Sequence, residues 1–177
     1  GLFMNIFHLD KDPLLCAKYH CDKHVVKMIL ETGQMLCTAY QRHYGLKDDL
    51  YKPAYPHHPM TKWVGDSGEN FFFTIKLFGH LLDEYNYRYN KWHKSSKIIL
   101  LLHSKYKDWH KMSGKFTAPP LCMPDKYKLD DYVQSYRNYY IGEKMYFAKY
   151  NYSEPPFWLA NIIKEQRDLV KVVSYAK

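Results

Sequence analysis

Residues 20–34 read His20-Cys21-Asp22-Lys23-His24-Val25-Val26-Lys27-Met28-Ile29-Leu30-Glu31-Thr32-Gly33-Gln34. At about 100° per residue of an α-helix, the polar side chains of this stretch share one arc roughly 100° wide. This polar ribbon consists of His20, Lys23, His24, Lys27, Glu31 and Gln34. Most of the remaining circumference is apolar, with Val25, Val26, Met28, Ile29, Leu30 and Leu36. The pattern predicts a mostly buried helix whose polar ribbon faces a cleft.

The polar ribbon has a second interpretation. The solvated edge of a core helix has the same periodicity, and its pairs four residues apart stabilise the helix by roughly 0.2–0.5 kcal/mol each. Spacing alone does not separate a cleft from open solvent, so both interpretations stay open at this point.

Composition indicates a globular, basic and unusually aromatic protein. The chain has 177 residues, which suits one domain, and 46% of them are hydrophobic. Its 26 Lys and Arg against 18 Asp and Glu leave a formal charge of +8, and it contains 18 Tyr, 9 Phe and 4 Trp. Basic charge combined with surplus aromatic side chains suits phosphate contact and base stacking. Nucleotide bias in an AT-rich genome would also enrich Tyr and Lys.

Cysteine usage and hydropathy indicate the cellular setting. Cys16, Cys21, Cys37 and Cys122 show no C-x-x-C spacing, which predicts buried free thiols in a reducing compartment. The chain has no run of about 18 apolar residues and no signal-peptide layout. The sequence therefore predicts a soluble intracellular protein with no membrane contact, located in the host cytoplasm if it is viral.

Helix signals predict an all-α fold, a single compact domain of five or six helices over residues 1–177. Because Met4 opens a natural-looking start, Gly1, Leu2 and Phe3 are interpreted as a cloning remnant. Start signals, stop signals and apolar periodicity predict these helices: from the Asp10 to Pro13 start to about Arg42, 67–90, from Ser95 to near His110, 131–150, and one that begins at Ser153 to Pro156.

Two irregular segments separate these helices. The loop from Gly45 to Met60 contains Tyr55-Pro56-His57-His58-Pro59, where two prolines stiffen the backbone that presents two imidazoles. The segment from Met112 to Leu129 carries three prolines and is the longest irregular piece. Loops of that length in a compact domain are more often functional than idle.

The polar ribbon predicts amine and acid-base chemistry. A partly desolvated Lys beside another cation supplies a nucleophilic amine, and Lys27 and Lys23 are the candidates. Glu31 is the candidate general acid or base, while His20 and His24 are candidate proton carriers. The structural alternative is a buried pair of Lys27 and Glu31, with the histidines satisfied by backbone carbonyls.

A metal site is disfavoured, and no cofactor is predicted. His20 and His24 are spaced to reach one ion, with a loop histidine as a third ligand. However, Lys23 and Lys27 lie on the same arc and would oppose a dication, and the H-E-x-x-H pattern is absent.

Basic and aromatic residues outside the polar ribbon predict contact with DNA or with nucleotides. The candidate phosphate ligands are His57, His58, Arg88, Lys91, His93, Lys94, Arg137, Tyr140 and Lys144. Tyr87, Trp92, Tyr139 and Tyr140 are candidates for stacking on a base. Solvated Lys and Arg are common on any helix, so the prediction depends on the whole set rather than on any one residue.

Five spaced motifs lie between residues 19 and 144. They are Tyr-His-x-x-Lys-His-x-x-Lys-x-x-x-Glu-x-x-Gln (19–34), Tyr-x-x-His-Pro-x-x-x-Trp (55–63), Glu-Tyr-x-Tyr-Arg-Tyr-x-Lys-x-His-Lys (84–94), Met-Pro-Asp-x-Tyr-Lys (123–128) and Tyr-Arg-x-Tyr-Tyr-x-x-x-Lys (136–144). On these motifs, residues 4 to about 158 resemble a family of small uncharacterised proteins of tailed phages and large DNA viruses.

Residues 4 to about 94 show a looser similarity to the pyrimidine-dimer DNA glycosylases of the endonuclease V type. That resemblance implies a small basic all-α domain that flips a nucleotide out of the duplex and cleaves the glycosidic bond through a Schiff base. It also implies a catalytic glutamate on the first helix, for which Glu31 is the candidate. Those enzymes use a free N-terminal amine, usually of Thr, which neither Gly1 nor Met4 matches. Either Lys23 or Lys27 supplies the amine, or the chemistry differs, or the resemblance is one of fold only.

These observations predict a viral DNA-processing or base-modifying enzyme, most concretely a DNA glycosylase and lyase with its site between the first helix and the His57-His58 loop. Two alternatives stay open. One is an enzyme that acts on free nucleotides, and the other is a non-enzymatic binder of nucleic acid or of a host protein.

Overall fold

The computed structural model describes residues 4–176, and within them the chain is helical with no β-strand. The predicted all-α class is therefore confirmed, but the predicted number of five or six helices is too low. Eight α-helices are present within these residues: α1 (Pro13–Tyr19), α2 (Asp22–Tyr44), α3 (Pro59–Asp66), α4 (Gly68–Tyr89), α5 (Ser96–Ser104), α6 (Tyr106–Trp109), α7 (Tyr132–Tyr139) and α8 (Phe157–Ala176). The interpretation of residues 1–3 as a cloning remnant falls outside the described residues.

The single first helix predicted to reach Arg42 is in fact two helices. His20 and Cys21 adopt extended backbone angles, with ψ of 136° and 163°, and this break separates α1 from α2. The groups freed at the break have partners in distant parts of the chain. Arg88 Nη1 donates to the carbonyl of His20 at 2.7 Å, and the backbone N–H of Cys21 donates to the hydroxyl of Tyr140 at 3.0 Å. Tertiary contacts therefore decide where α2 begins.

Helix α3 lies at the end of the segment that was predicted to be a loop. Pro59 occupies its first turn, and Nδ1 of His58 accepts the backbone N–H of Met60 at 3.1 Å. Proline is favoured at the first helical position because it has no N–H to leave unpaired. Histidine is an uncommon cap, which is why this helix start was missed.

The helix predicted over 131–150 ends early. Asp131 caps α7, which continues into a wider π-helical turn at Tyr140–Lys144. This turn packs on a short 3-10 turn, Asp125–Tyr127, so closely that a side chain at Gly142 would overlap the ring of Tyr127.

The long helices α2 and α4 pack against each other at the centre of the core. Helix α3 packs against both of them, and α1 packs against α4. The N-terminal segment 4–9 is also buried, with Ile6, Phe7 and Leu9 at most 4% exposed. None of the helices within residues 4–176 has both the length and the apolar character required to cross a bilayer.

Candidate active site

A cavity of about 360 Å³ lies between α2, the N-terminal segment, the His58 cap of α3 and the π-helical turn. We call it the Glu31 cavity. Its ionisable lining groups are Lys27 and Glu31 from α2, His58 and Lys144. Its other walls include Met4, Asn5, Phe7, Met28, Cys122 and Tyr139. Four of the predicted site residues are thus brought together from three separate parts of the sequence.

Glu31 is the most unusual group of this cavity. Its carboxylate oxygen Oε2 is buried and has no hydrogen-bond partner, and Lys27 Nζ lies 3.9 Å from it. Burial raises the pKa of Glu31, whereas Lys27 and a backbone hydrogen bond with Asn5 act in the opposite direction. A buried carboxylate with an unpaired oxygen is unfavourable for stability, and such groups cluster at functional sites.

His58 faces the cavity in a defined tautomer. Because Nδ1 accepts the N–H of Met60, the neutral ring carries its proton on Nε2. Partial burial lowers the pKa of His58, which favours this neutral form. His58 can therefore donate a hydrogen bond from Nε2 while its orientation is held by the helix cap.

Lys144 brings a second ammonium group to the cavity through the π-helical turn. Its Nζ lies 5.0 Å from the ring centroid of Tyr139 and 5.8 Å from that of Phe7, both cation–π distances. The aromatic wall keeps this charge at the cavity while leaving its N–H donors available for an anion.

His20 and His24 lie behind the cavity rather than in it. Both are buried, with 1% and 3% of their surface exposed. Nδ1–H of His20 donates to the carbonyl of Cys16 at 2.7 Å, and Nδ1 of His24 lies 2.9 Å from the hydroxyl of Tyr140. Burial lowers the pKa of His20 to about 4 and that of His24 to about 2, the latter also through His20, Lys144 and other nearby cations. The lowered pKa values favour the neutral form of both rings. His20 has the backbone-carbonyl partner of the structural alternative, whereas the partner of His24 is a tyrosine hydroxyl.

The polar ribbon is therefore divided by the tertiary structure. His20, His24 and Glu31 are buried, whereas Lys23 and Lys27 are exposed. Two apolar residues of the same helix, Val26 and Leu30, are 40% and 43% exposed, against the expectation that its apolar side is buried. The face of α2 that reaches solvent combines lysines with aliphatic side chains.

Arg88, predicted to contact phosphate, is part of the core. All five of its N–H donors have protein acceptors: the carbonyls of Lys18 and His20, the carboxylate of Asp22, and Oε1 of Glu84, which takes two. Its side chain is fully buried. No donor is left for a ligand, so Arg88 holds the α1–α2 break in place.

Arg137 and Tyr140 are likewise occupied by the fold. Arg137 donates to the carbonyl of Leu9 at 2.8 Å and pairs with Asp10 at 2.9 Å. Tyr140 is fully buried, which removes it as a stacking surface. Tyr140 is therefore closed to a ligand, and the two contacts of Arg137 anchor the N-terminal segment to α7.

The remaining predicted phosphate ligands lie outside the Glu31 cavity. His57 is exposed and lines a different cavity beside α3, so the two loop histidines are separated. Lys91 and Lys94 are exposed on the surface, and Nδ1 of His93 accepts the N–H of Ser95 at 3.0 Å. Through this hydrogen bond, His93 stabilises the connection between α4 and α5.

Sequence reasoning missed Asn5, Phe7 and Cys122 as cavity residues. The segment 4–9 carries an apolar pattern that indicates burial, but nothing in its spacing shows which helix it packs against. Cys122 lies in the long irregular segment, whose length was the only indication of a role.

Among residues 4–176, no three His, Cys, Asp or Glu side chains converge in a way that would hold a metal ion. No protein-family model, curated protein or solved structure matches the chain. Any function is therefore inferred from the geometry of the site, and the resemblance to viral proteins and to glycosylases stays a prediction.

Proposed function

We propose that this protein is a DNA glycosylase and lyase that accepts one damaged or modified nucleotide, flipped out of duplex DNA, into the Glu31 cavity. The proposal depends on one observation, the buried and unpaired Oε2 of Glu31, 3.9 Å from Lys27, in a cavity that also contains Lys144 and His58. Flipped bases are bound in pockets, and the volume of about 360 Å³ is within the range of small-ligand sites.

The chemistry begins with a proton transfer within the pair. The Lys27 ammonium passes a proton to the Glu31 carboxylate, whose Oε2 lies 3.9 Å from Nζ, and this step leaves a neutral amine. The amine nitrogen attacks C1′ of the flipped nucleotide. The electron pair of the glycosidic bond leaves with the base, which receives its proton from Glu31.

A Schiff base follows from the same two groups. The Glu31 carboxylate removes a proton from the new secondary ammonium, and opening of the sugar ring returns that proton to O4′. The product is a protonated imine between Lys27 and C1′, which water hydrolyses or β-elimination resolves. Lys144 and Nε2–H of His58 would bind the phosphate and sugar oxygens that flank this carbon.

Borohydride trapping on damaged and abasic duplex DNA tests the proposal, because hydride reduces the imine to a stable protein–DNA adduct. Lys23 is a matched control, since it lies one helical turn from Lys27 but outside the Glu31 cavity. With protein in large excess, so that weaker DNA binding does not limit trapping, we expect the adduct to be lost in Lys27→Ala and retained in Lys23→Ala, which keeps the attacking amine. Absence of an adduct in the unaltered protein, or an adduct that both variants retain, would refute the Schiff-base mechanism.

A free nucleotide is the competing substrate, because Lys27 and Lys144 would bind its phosphate in the same cavity. A thermal-shift panel separates the two substrates. Stabilisation by a mononucleotide but not by duplex DNA would favour the free nucleotide.

A further inference from the structure

A second concave surface lies beside the Glu31 cavity and has a different character. It has a volume of about 450 Å³ and is lined by four aromatic rings and two lysines. We call it the aromatic cleft; these residues are Lys23, Tyr89, Tyr146, Phe147, Lys149 and Tyr152. Tyr146 is 86% exposed and Tyr152 is 53% exposed, so ring surface is available to a ligand.

The four aromatic rings of the cleft contact one another in two pairs. Tyr89 and Tyr152 have centroids 5.4 Å apart, and those of Tyr146 and Phe147 are 4.8 Å apart. The Lys23 ammonium lies 4.9 Å from the Phe147 centroid. Proteins that bind unpaired nucleotides combine exposed aromatic rings with nearby cations, because bases stack on the rings and the cations attract the phosphates.

The one carboxylate of the cleft does not oppose an anion. Asp22 Oδ1 lies 3.3 Å from Arg88 Nη1, and Asp22 Oδ2 accepts the backbone N–H of Asn151 at 2.8 Å. Its charge is thus balanced by a buried guanidinium, whereas Lys23 and Lys149 are exposed and free to act on a ligand. The net charge presented by the cleft is positive.

Helix α2 connects the cleft to the Glu31 cavity. Lys23 lines the cleft and Lys27 lines the cavity, and the two are four residues apart on one exposed face. Their separation along the helix axis is about 6 Å, at 1.5 Å per residue. Lys144 lines the cavity and Phe147 lines the cleft, so the segment after α7 also runs between the two sites. The two sites are therefore spaced for neighbouring nucleotides of one strand.

We infer that the aromatic cleft binds the nucleotide next to the flipped one, stacking its base on Tyr146 and Tyr152 while Lys23 and Lys149 hold the intervening phosphates. This inference rests on the proposed function for its choice of DNA as ligand. It predicts that the enzyme engages an unpaired base on one side of its target in addition to the target itself.

Fluorescence anisotropy with a labelled twelve-nucleotide oligothymidylate tests the cleft. We expect the double variant Tyr146→Ala, Tyr152→Ala to raise Kd by about 5- to 150-fold, the range that corresponds to the loss of one stacked base. Tyr146→Phe retains an aromatic face and should bind within about twofold of the unaltered protein. The control is Tyr175→Ala, since Tyr175 is equally exposed, at 87%, but lies on α8.

The outcomes separate this inference from the proposed function. Loss of affinity in the double variant supports the cleft even if borohydride traps no adduct. A Kd that stays within twofold of the unaltered protein overturns the cleft even if an adduct forms. Failure of the unaltered protein to bind the oligothymidylate, or an equal loss in Tyr175→Ala, also overturns it. Circular dichroism of each variant shows whether a change in Kd reflects unfolding instead.

Discussion

Lys27 Nζ lies 3.9 Å from Glu31 Oε2, beyond hydrogen-bond distance, so within the described residues this buried oxygen has a nearby cation but no hydrogen-bond donor. The lysine side chain is 46% exposed, whereas that of the glutamate is 11% exposed. A ligand can therefore reach the amine from solvent, while the acid stays behind it. This asymmetry is what a nucleophile and its proton donor require.

Glu31→Gln should stabilise the protein while abolishing the proposed reaction. Burial raises the folded-state pKa of Glu31 above its unfolded value, so the ionised group destabilises the fold at neutral pH. Gln carries no charge and removes that penalty. We expect a rise in Tm at pH 7, with each 1 kcal/mol worth about 2–4 °C for a chain of this size.

The sign of the pH dependence provides the control for Glu31→Gln. As pH falls below the unfolded pKa of about 4.3, Glu31 is protonated in both states and its penalty disappears. The difference in Tm between the variant and the unaltered protein should therefore shrink on acidification. A variant that is less stable at pH 7 would show that the carboxylate is stabilising and paired.

His8→Phe should stabilise the protein, most strongly under mild acid. Both ring nitrogens of His8 are buried without a partner, and its ring is stacked on Phe73 with centroids 5.4 Å apart. Burial lowers the pKa of His8 to about 3, so stability is lost as pH falls from about 6.5 towards that value, because only the unfolded chain takes up the proton. Phe removes this loss and suits the aromatic surroundings.

Urea unfolding at pH 7 and pH 5 measures the effect of His8→Phe. We expect a gain of about 1 kcal/mol at pH 7, since an unsatisfied buried polar group costs about 1–3 kcal/mol, and a larger gain at pH 5. His110→Phe is a matched control because that imidazole is exposed. Equal gains at both pH values would contradict the burial of a neutral His8.

Arg88→Met should destabilise the fold by about 3–5 kcal/mol, because it leaves Asp22, Glu84 and two carbonyls of the α1–α2 break without their donor. Arg42→Met is the matched control. Arg42 pairs with Asp66 at 3.1 Å, but both side chains are nearly half exposed, so its removal should cost about 0–1 kcal/mol. Chemical denaturation checks both values, and similar losses in the two variants would refute a structural role specific to Arg88.

Gly142→Ala should destabilise the protein by about 1–3 kcal/mol, because the added methyl group would overlap the ring of Tyr127 and force the π-helical turn to shift. Gly79→Ala is the reference substitution. It lies within α4 with open space around its Cβ position, and alanine there should stabilise by about 0.5–1 kcal/mol. Opposite signs in thermal denaturation are expected, and stabilisation by both would contradict the close packing at Gly142.

Much of the helical architecture could be predicted from the sequence. Helix α4 spans Gly68–Tyr89 against a predicted 67–90, because Ser67 caps its start and an apolar period runs through it. Asp131 and Pro155-Pro156 likewise mark the starts of α7 and α8. The break after Tyr19 could not be predicted, because the groups that satisfy it belong to Arg88 and Tyr140, more than 60 residues away.

The candidate site, like the helices, could be predicted from the sequence only in part. Periodicity singled out Lys27 and Glu31, and the prolines around His58 marked its loop, before any contact between them was known. The spacing of residues in the sequence did not show that His24 would be buried against Tyr140. It also did not show that Lys144, four residues after Tyr140, would line the Glu31 cavity.

The sequence by itself determined that the chain is helical, basic and rich in aromatic residues, and that α2 carries a polar ribbon, because these properties depend on local spacing and composition. Only the tertiary structure decided which ribbon residues line a cavity and which arginines serve the core. Burial and pairing depend on what packs against each face, and those partners are supplied by segments distant in sequence. The unpaired oxygen of Glu31 is such a property, and the proposed chemistry depends on it.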